Sequence, residues 1–140
     1  MKEFFKGMAI GLLVGAGTMV LCGSAMSHGF DRIIRHESQG NPNAIGDQGR
    51  SHGLAQISVP YYIDARKEMI KRGITPPPFQ VAVKDRYWTE QLMHYYMLRY
   101  CPKALASGDL ETIAKIHNGG PAGAKKSATA KYWAKIKKTK

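Results

Sequence analysis

Two carboxylates ten residues apart, Glu37 and Asp47, are the residues whose types and surroundings suit chemistry. Phe30, Ile33 and Ile34 fall at i, i+3 and i+4, and Glu37 continues that face, so it stands on the apolar side of a short helix. A carboxyl desolvated in that position holds its proton towards neutral pH. Asp47 stands in Gly46-Asp47-Gln48-Gly49, a polar turn in which a carboxylate stays solvated and ionised. Cleavage of a glycosidic bond uses such a pair. One acid delivers a proton to the leaving oxygen, and one anion stabilises or traps the cation that builds on the ring. Taken singly, a Glu at a frayed helix end or an Asp in a turn is more often structural. What singles these two out is the segment between them: Asn41-Pro42-Asn43 and Gly46 to Gly49 are turn chemistry, and Gly53-Leu54-Ala55-Gln56-Ile57 returns to apolar structure. A polar loop of this length inside a compact domain is usually kept for function.

The elements that must position this segment read as helices. Ser58 suits an N-cap with Pro60 in the first turn, and the helix it opens carries Tyr61, Tyr62, Ala65, Met69 and Ile70 and stops at Gly73. Thr75-Pro76-Pro77-Pro78 is a rigid connector too short to separate domains. The stretch from Val81 to about Tyr100 reads as one long helix with Trp88, Leu92, Tyr95, Tyr96 and Arg99 at helical spacing, ended by Pro102. Gly108-Asp109 opens a helix that turns Leu110, Ile113, Ala114 and Ile116 inward and breaks at His117-Asn118-Gly119-Gly120-Pro121. Ser127 or Thr129 starts a last helix bearing Tyr132, Trp133 and Ile136. The expected fold is mainly α, with about five short helices around a cleft and a small loop or β-hairpin lobe.

At 140 residues the chain has room for one domain and an appendage. Residues 7–27 carry no charge and follow Lys2 and Lys6, which favours a cytoplasmic start. Two readings of residues 1–27 stand side by side. One is a signal peptide cut near Gly23-Ser24-Ala25 or Ala25-Met26-Ser27, and the other is an uncleaved or releasable signal anchor in the bacterial inner membrane. The glycines at 7, 11, 15, 17 and 23 make the segment resemble the signal-anchor-release segments of phage endolysins. Under either reading residues 28–140 form an exported domain, periplasmic or secreted. Net charge is +11, and the stretch from Lys125 onwards holds lysines and no acid, which suits an anionic envelope surface. The lysine run lacks the interleaved aromatics and reading motifs of a nucleic-acid binder, so none is expected as a partner. No His-Glu-x-x-His, zinc-type cysteine spacing or phosphate loop is present, and neither metal nor cofactor is expected. Cys22 and Cys101 make no disulfide framework; they pair only if the N-terminal segment enters an oxidising compartment, and otherwise pack as separate thiols. A monomer is expected.

Two blocks resemble a known family. Glu37-Ser38, Asp47, Gly49, Ser51, Gly53 and Gln56-Ile57 resemble the active-site segment of invertebrate-type (destabilase) lysozymes, and Tyr61-Tyr62-Ile63-Asp64 is similar to the Tyr-Trp-x-Asp that follows there. Ile113-Ala114-Lys115-Ile116-His117-Asn118-Gly119-Gly120-Pro121-Ala122-Gly123, with Tyr132-Trp133 downstream, is similar to that family's second block. The resemblance implies a lysozyme-like fold acting on peptidoglycan glycan strands, with Glu37 as general acid and Asp47 as nucleophile. It also implies that Ser51, Gly53, Gln56, Tyr61, His117 and Asn118 bind the sugar. The chain departs from the family in lacking its many cysteines and in a slightly shorter Glu-to-Asp spacing. Glu37-Ser38-Gln39-Gly40-Asn41-Pro42-Asn43-Ala44 and Gly53-Leu54-Ala55-Gln56-Ile57 also resemble soluble lytic transglycosylases, which use a single Glu and leave anhydro sugar ends. A third reading, a tethered module that binds glycan without cleaving it, has Glu37 against it.

Overall fold

The computed structural model describes residues 29–140. The expected signal or anchor segment and Cys22 lie outside the described residues. Among the described residues no helix is long and apolar enough to cross a membrane.

The first helix, α1 (residues 29–38), turns Phe30, Ile33 and Ile34 into the core, as their spacing dictates. It stops where Gln39 and Gly40 both take positive φ, and the Ser38 hydroxyl ties this end to the Leu54 carbonyl at 2.6 Å. A two-stranded antiparallel hairpin follows: β1 (Ile45–Gly46) pairs with β2 (Ser51–His52), in the register Ile45 to His52 and Gly46 to Ser51. A 3-10 turn, Asp47–Gly49, joins them with three successive positive φ values, and this holds the acidic side chain at the hairpin tip.

The next helix, α2 (Val59–Ile70), begins at Ser58, whose side chain accepts a hydrogen bond from the Tyr61 amide, with Pro60 in its first turn. The stretch expected to form one helix from Val81 to Tyr100 is instead two, α3 (Phe79–Ala82) and α4 (Arg86–Tyr100). The physical reason lies in the carbonyls between them. Thr89 Oγ1, fully buried, donates to the Ala82 and Val83 carbonyls at 3.1 and 3.2 Å, and the Leu54 amide reaches the Val83 carbonyl at 2.9 Å. Asp85 then caps a new start, accepting from the Trp88 amide at 2.9 Å. Pro102 ends α4 but also occupies the first turn of a further helix, α5 (Pro102–Ser107). Asp109 caps α6 (Leu110–Gly119), so His117 and Asn118 sit in its last turn and not in the break beyond it. The C-terminal stretch is no loose tail. Gly123–Lys125 forms a 3-10 turn and Ser127–Lys138 forms α7, with Tyr132 and Ile136 buried and the lysines from 131 onwards exposed.

The described residues thus hold seven α-helices where about five were expected. The extra ones, α3 and α5, are too short for an apolar period to register in the sequence. Helix α2 packs along α4, and α7 along α6. Ile33, Met69, Leu92, Met97, Ile113 and Ile136 meet in one core, nearly all without solvent contact. Each such burial contributes about 1.5–3 kcal/mol. Cys101 is buried where α4 meets α5, its thiol pushed up to about 11 by burial, so it packs as an apolar group beside Met97.

Candidate active site

The end of α1, the hairpin, the start of α2 and the end of α6 enclose a polar cleft of about 370 Å³. Glu37, Asp47, Arg50, Ser51, Gln56, Ser58, Tyr61, His117 and Asn118 line it. Of the eight residues singled out in the sequence as catalytic or sugar-binding, seven meet here. The eighth, Gly53, does not. Its φ is +77°, and a Cβ there would come within 2.0 Å of the Val83 carbonyl oxygen, so its role is to let the hairpin base lie against the α3–α4 junction.

The Glu37 side chain is 18% exposed. Burial raises its pKa, and the negative charge of Asp47 acts in the same direction; the Tyr132 hydrogen bond and the charge of His36 pull it down without cancelling the rise. Tyr132, on α7, donates its hydroxyl to Glu37 Oε1 at 2.6 Å. Asp47 is exposed and accepts from the Ser51 hydroxyl at 2.5 Å, and Ser51 itself is buried. Arg50 Nε donates to the Asp47 backbone carbonyl at 3.0 Å, which ties the guanidinium to the turn that carries the carboxylate. The two acids therefore stand in opposite environments on one cleft, one desolvated and one in water.

Gln56 has both amide hydrogens engaged, on the Ala44 and Gly53 carbonyls at 3.0 Å each, and its own φ is positive. It braces the hairpin while presenting one side to the cleft. Asn118 is exposed at the cleft. His117 and Tyr61 are buried and linked: the Tyr61 hydroxyl lies 3.1 Å from His117 Nδ1, and His117 Nε2 lies 2.9 Å from the Ala55 carbonyl. A carbonyl only accepts, so Nε2 carries the proton and Nδ1 receives the tyrosine hydroxyl. Tyr61 is in turn stacked on Tyr96 at 3.6 Å. Both side chains are first of all supports of the cleft wall.

His117 sets an acid limit on stability. Burial pulls its pKa down to about 4. The unfolded state takes up a proton below about 6.5, while the folded state refuses it until about 4. The stability linked to a neutral His117 is therefore present above pH 6.5 and is lost as the pH falls towards 4, by roughly 3 kcal/mol. Glu37, with its raised pKa, acts in the opposite sense over part of this range, so the comparison needs a variant. The urea midpoint is expected to fall between pH 6.5 and 4 in the wild type and to fall less in His117→Gln. Equal slopes in the two proteins would refute this account.

Sequence reasoning passed over Tyr132 as a partner of Glu37, along with Arg50 and Ser58 of the lining. Tyr132 lies 95 residues from Glu37, beyond the reach of any local spacing rule. Arg50 and Ser58 flank matched residues, and their position in the loop was the only available signal.

Residues 27–139 match the Destabilase family. The chain is 34% identical over 90 residues to invertebrate-type lysozyme 3 of Caenorhabditis elegans, covering 62% of this chain and 65% of that protein. It is 31% identical over 86 residues to lysozyme 1 of Crassostrea virginica, covering 61% of this chain and 43% of that one. The matched part thus spans 43% and 65% of the length of these two relatives. Among solved structures, the lysozyme of Tapes japonica superposes with a TM-score of 0.63 at 29% identity, covering 82% of this chain and 88% of that one. The inhibitor-bound lysozyme from Meretrix lusoria superposes with a TM-score of 0.62 at 27% identity and the same coverage.

Proposed function

The chain belongs to the Destabilase family, and from that premise we propose that it cleaves the β-1,4 bond between N-acetylmuramic acid and N-acetylglucosamine in peptidoglycan glycan strands. The observation that carries this reading is the desolvated Glu37 on a polar cleft that Asp47 also lines. Glu37 enters the reaction protonated and gives its proton to the glycosidic oxygen as the bond to the ring carbon breaks. Asp47, ionised, attacks or stabilises the ring cation from the cleft. Water then displaces it, with Glu37 now the base that takes the water's proton. Arg50 and Ser51 hold the Asp47 segment, and Gln56, Asn118 and the Tyr61–His117 pair shape the wall against which the sugar lies. The enzyme is exported, as a phage lysis enzyme or a bacterial wall-remodelling enzyme, and the lysines of α7 hold it to an anionic envelope.

One observation favours a second reading. Asp47 sits in a tight turn at positive φ with its carboxylate already engaged by Ser51, as a turn residue would be. In a transglycosylase Glu37 acts alone and the muramic 6-hydroxyl closes on the ring carbon. The test is mass spectrometry of the sugars released from purified peptidoglycan by residues 28–140, with Asp47→Asn alongside. Reducing muramic ends that fall about 100-fold or more in Asp47→Asn are expected. Anhydro ends that persist in Asp47→Asn establish the transglycosylase. A folded wild-type domain that releases nothing sinks both and leaves the binding module.

A further inference from the structure

We propose that Tyr132 is a positioning residue for the acid, one that directs the transferable proton of Glu37 to Oε2 and holds the charge left on Oε1 when that proton departs. The inference rests on Glu37 being the proton donor, as proposed above. It comes from a contact between α1 and α7.

Tyr132 is buried, and its hydroxyl donates to Glu37 Oε1 at 2.6 Å. The ring is fenced by His36, edge-on at 5.3 Å between centroids, and the helix beneath it is anchored by Thr129, which donates to the Gly123 carbonyl at 2.6 Å, and by fully buried Ile136. The hydroxyl is therefore held in place. A carboxyl oxygen that accepts a phenol proton is the carbonyl oxygen of the neutral acid, so the acid's own proton resides on Oε2. After transfer the carboxylate meets a donor already in position, and a hydrogen bond to a charged acceptor is stronger than one to a neutral acceptor. The contact thus tightens as the bond to the sugar breaks, which is the condition for lowering the barrier and not merely binding substrate.

The groups facing Glu37 are few. His36 lies beside it on α1, Asp47 comes from the hairpin turn, Tyr61 from α2, His117 from α6 and Tyr132 from α7. His117 Nε2 is 3.9 Å from Oε1, but its proton is committed to the Ala55 carbonyl. The Tyr61 hydroxyl donates its hydrogen bond to His117 Nδ1. Of these groups only Tyr132 hydrogen-bonds the carboxyl. Loss of its hydroxyl leaves burial and Asp47 opposed by His36 alone, and Glu37 becomes a weaker acid.

The test is Tyr132→Phe, read by carbon NMR titration of the Glu37 carboxyl and by the pH profile of kcat on peptidoglycan strands. The Glu37 midpoint and the alkaline limb of the profile are both expected to move up by about one pH unit, and kcat to fall about tenfold with KM little changed. Ile136→Val, a packing lesion on the same face of α7, is the control and is expected to leave both midpoints in place. If Tyr132→Phe lowers the melting temperature while the Glu37 midpoint stays or falls, Tyr132 merely seats the helix and the proposal is overturned. The same holds if Ile136→Val moves the midpoint equally. A wild type that cleaves no strand overturns the functional reading instead, and the NMR titration still decides whether Tyr132 tunes the carboxyl.

Discussion

Glu37→Gln is expected to lower the rate of glycan cleavage by about 1,000-fold, within the range that a general acid supplies, while the protein folds at least as stably as the wild type at neutral pH. The two halves of this expectation have one cause. Glu37 is mostly removed from water, so its charged form is disfavoured in the fold. An amide of the same shape carries no charge to desolvate, and its oxygen still accepts the Tyr132 hydroxyl. It has no proton to give. Release of soluble muropeptides and a thermal melt at pH 7 check both halves. Near-wild-type cleavage would remove Glu37 from the mechanism. A melting temperature several degrees lower would show that the carboxyl is chiefly a structural group.

Gly53→Ala is expected to destabilise the fold by roughly 3 kcal/mol or more, the largest effect on stability anticipated for so small a change. A methyl group at this position would lie 2.0 Å from the Val83 carbonyl oxygen and 2.6 Å from its carbon, both backbone atoms that no side-chain rotation can clear. That carbonyl also receives the Leu54 amide at 2.9 Å, and the Gly53 amide donates to the Ala44 carbonyl at 2.9 Å. The hairpin base must lift away, losing these bonds and moving the turn that carries Asp47. Gly49→Ala is the matched comparison: its φ is +86° but nothing lies within 4 Å of the added carbon. It is expected to cost only the left-handed penalty, about 1–2 kcal/mol. Urea unfolding of the two variants reads the difference. Equal losses would mean that the hairpin base yields freely and that Gly53 serves only its backbone angle.

The course of the helices was largely legible, because their signals are local. Ser58 and Asp109 cap α2 and α6 where short polar side chains precede apolar runs, and Phe30, Ile33 and Ile34 place α1 against the core by spacing alone. The break at Val83–Asp85 was not legible. It depends on Thr89 and Leu54 drawing on carbonyls that an unbroken helix would keep for itself.

Within the site, the identity of Glu37 as a carboxylate on an apolar face, and of Asp47 as one in a polar turn, was determined by the sequence itself, because burial pattern and turn chemistry act over a few residues. Only the tertiary structure decided what those residues meet. It brings the ends of α1 and α6 and the hairpin onto one cleft, and it commits His117 and Tyr61 to each other and to the Ala55 carbonyl. It withdraws Gly53 to the hairpin base and sets Tyr132 against Glu37 across 95 residues of chain. Hydrogen bonds and close approaches depend on tenths of an ångström between segments remote in sequence. Such distances follow from how the helices pack, which no periodicity along the chain encodes.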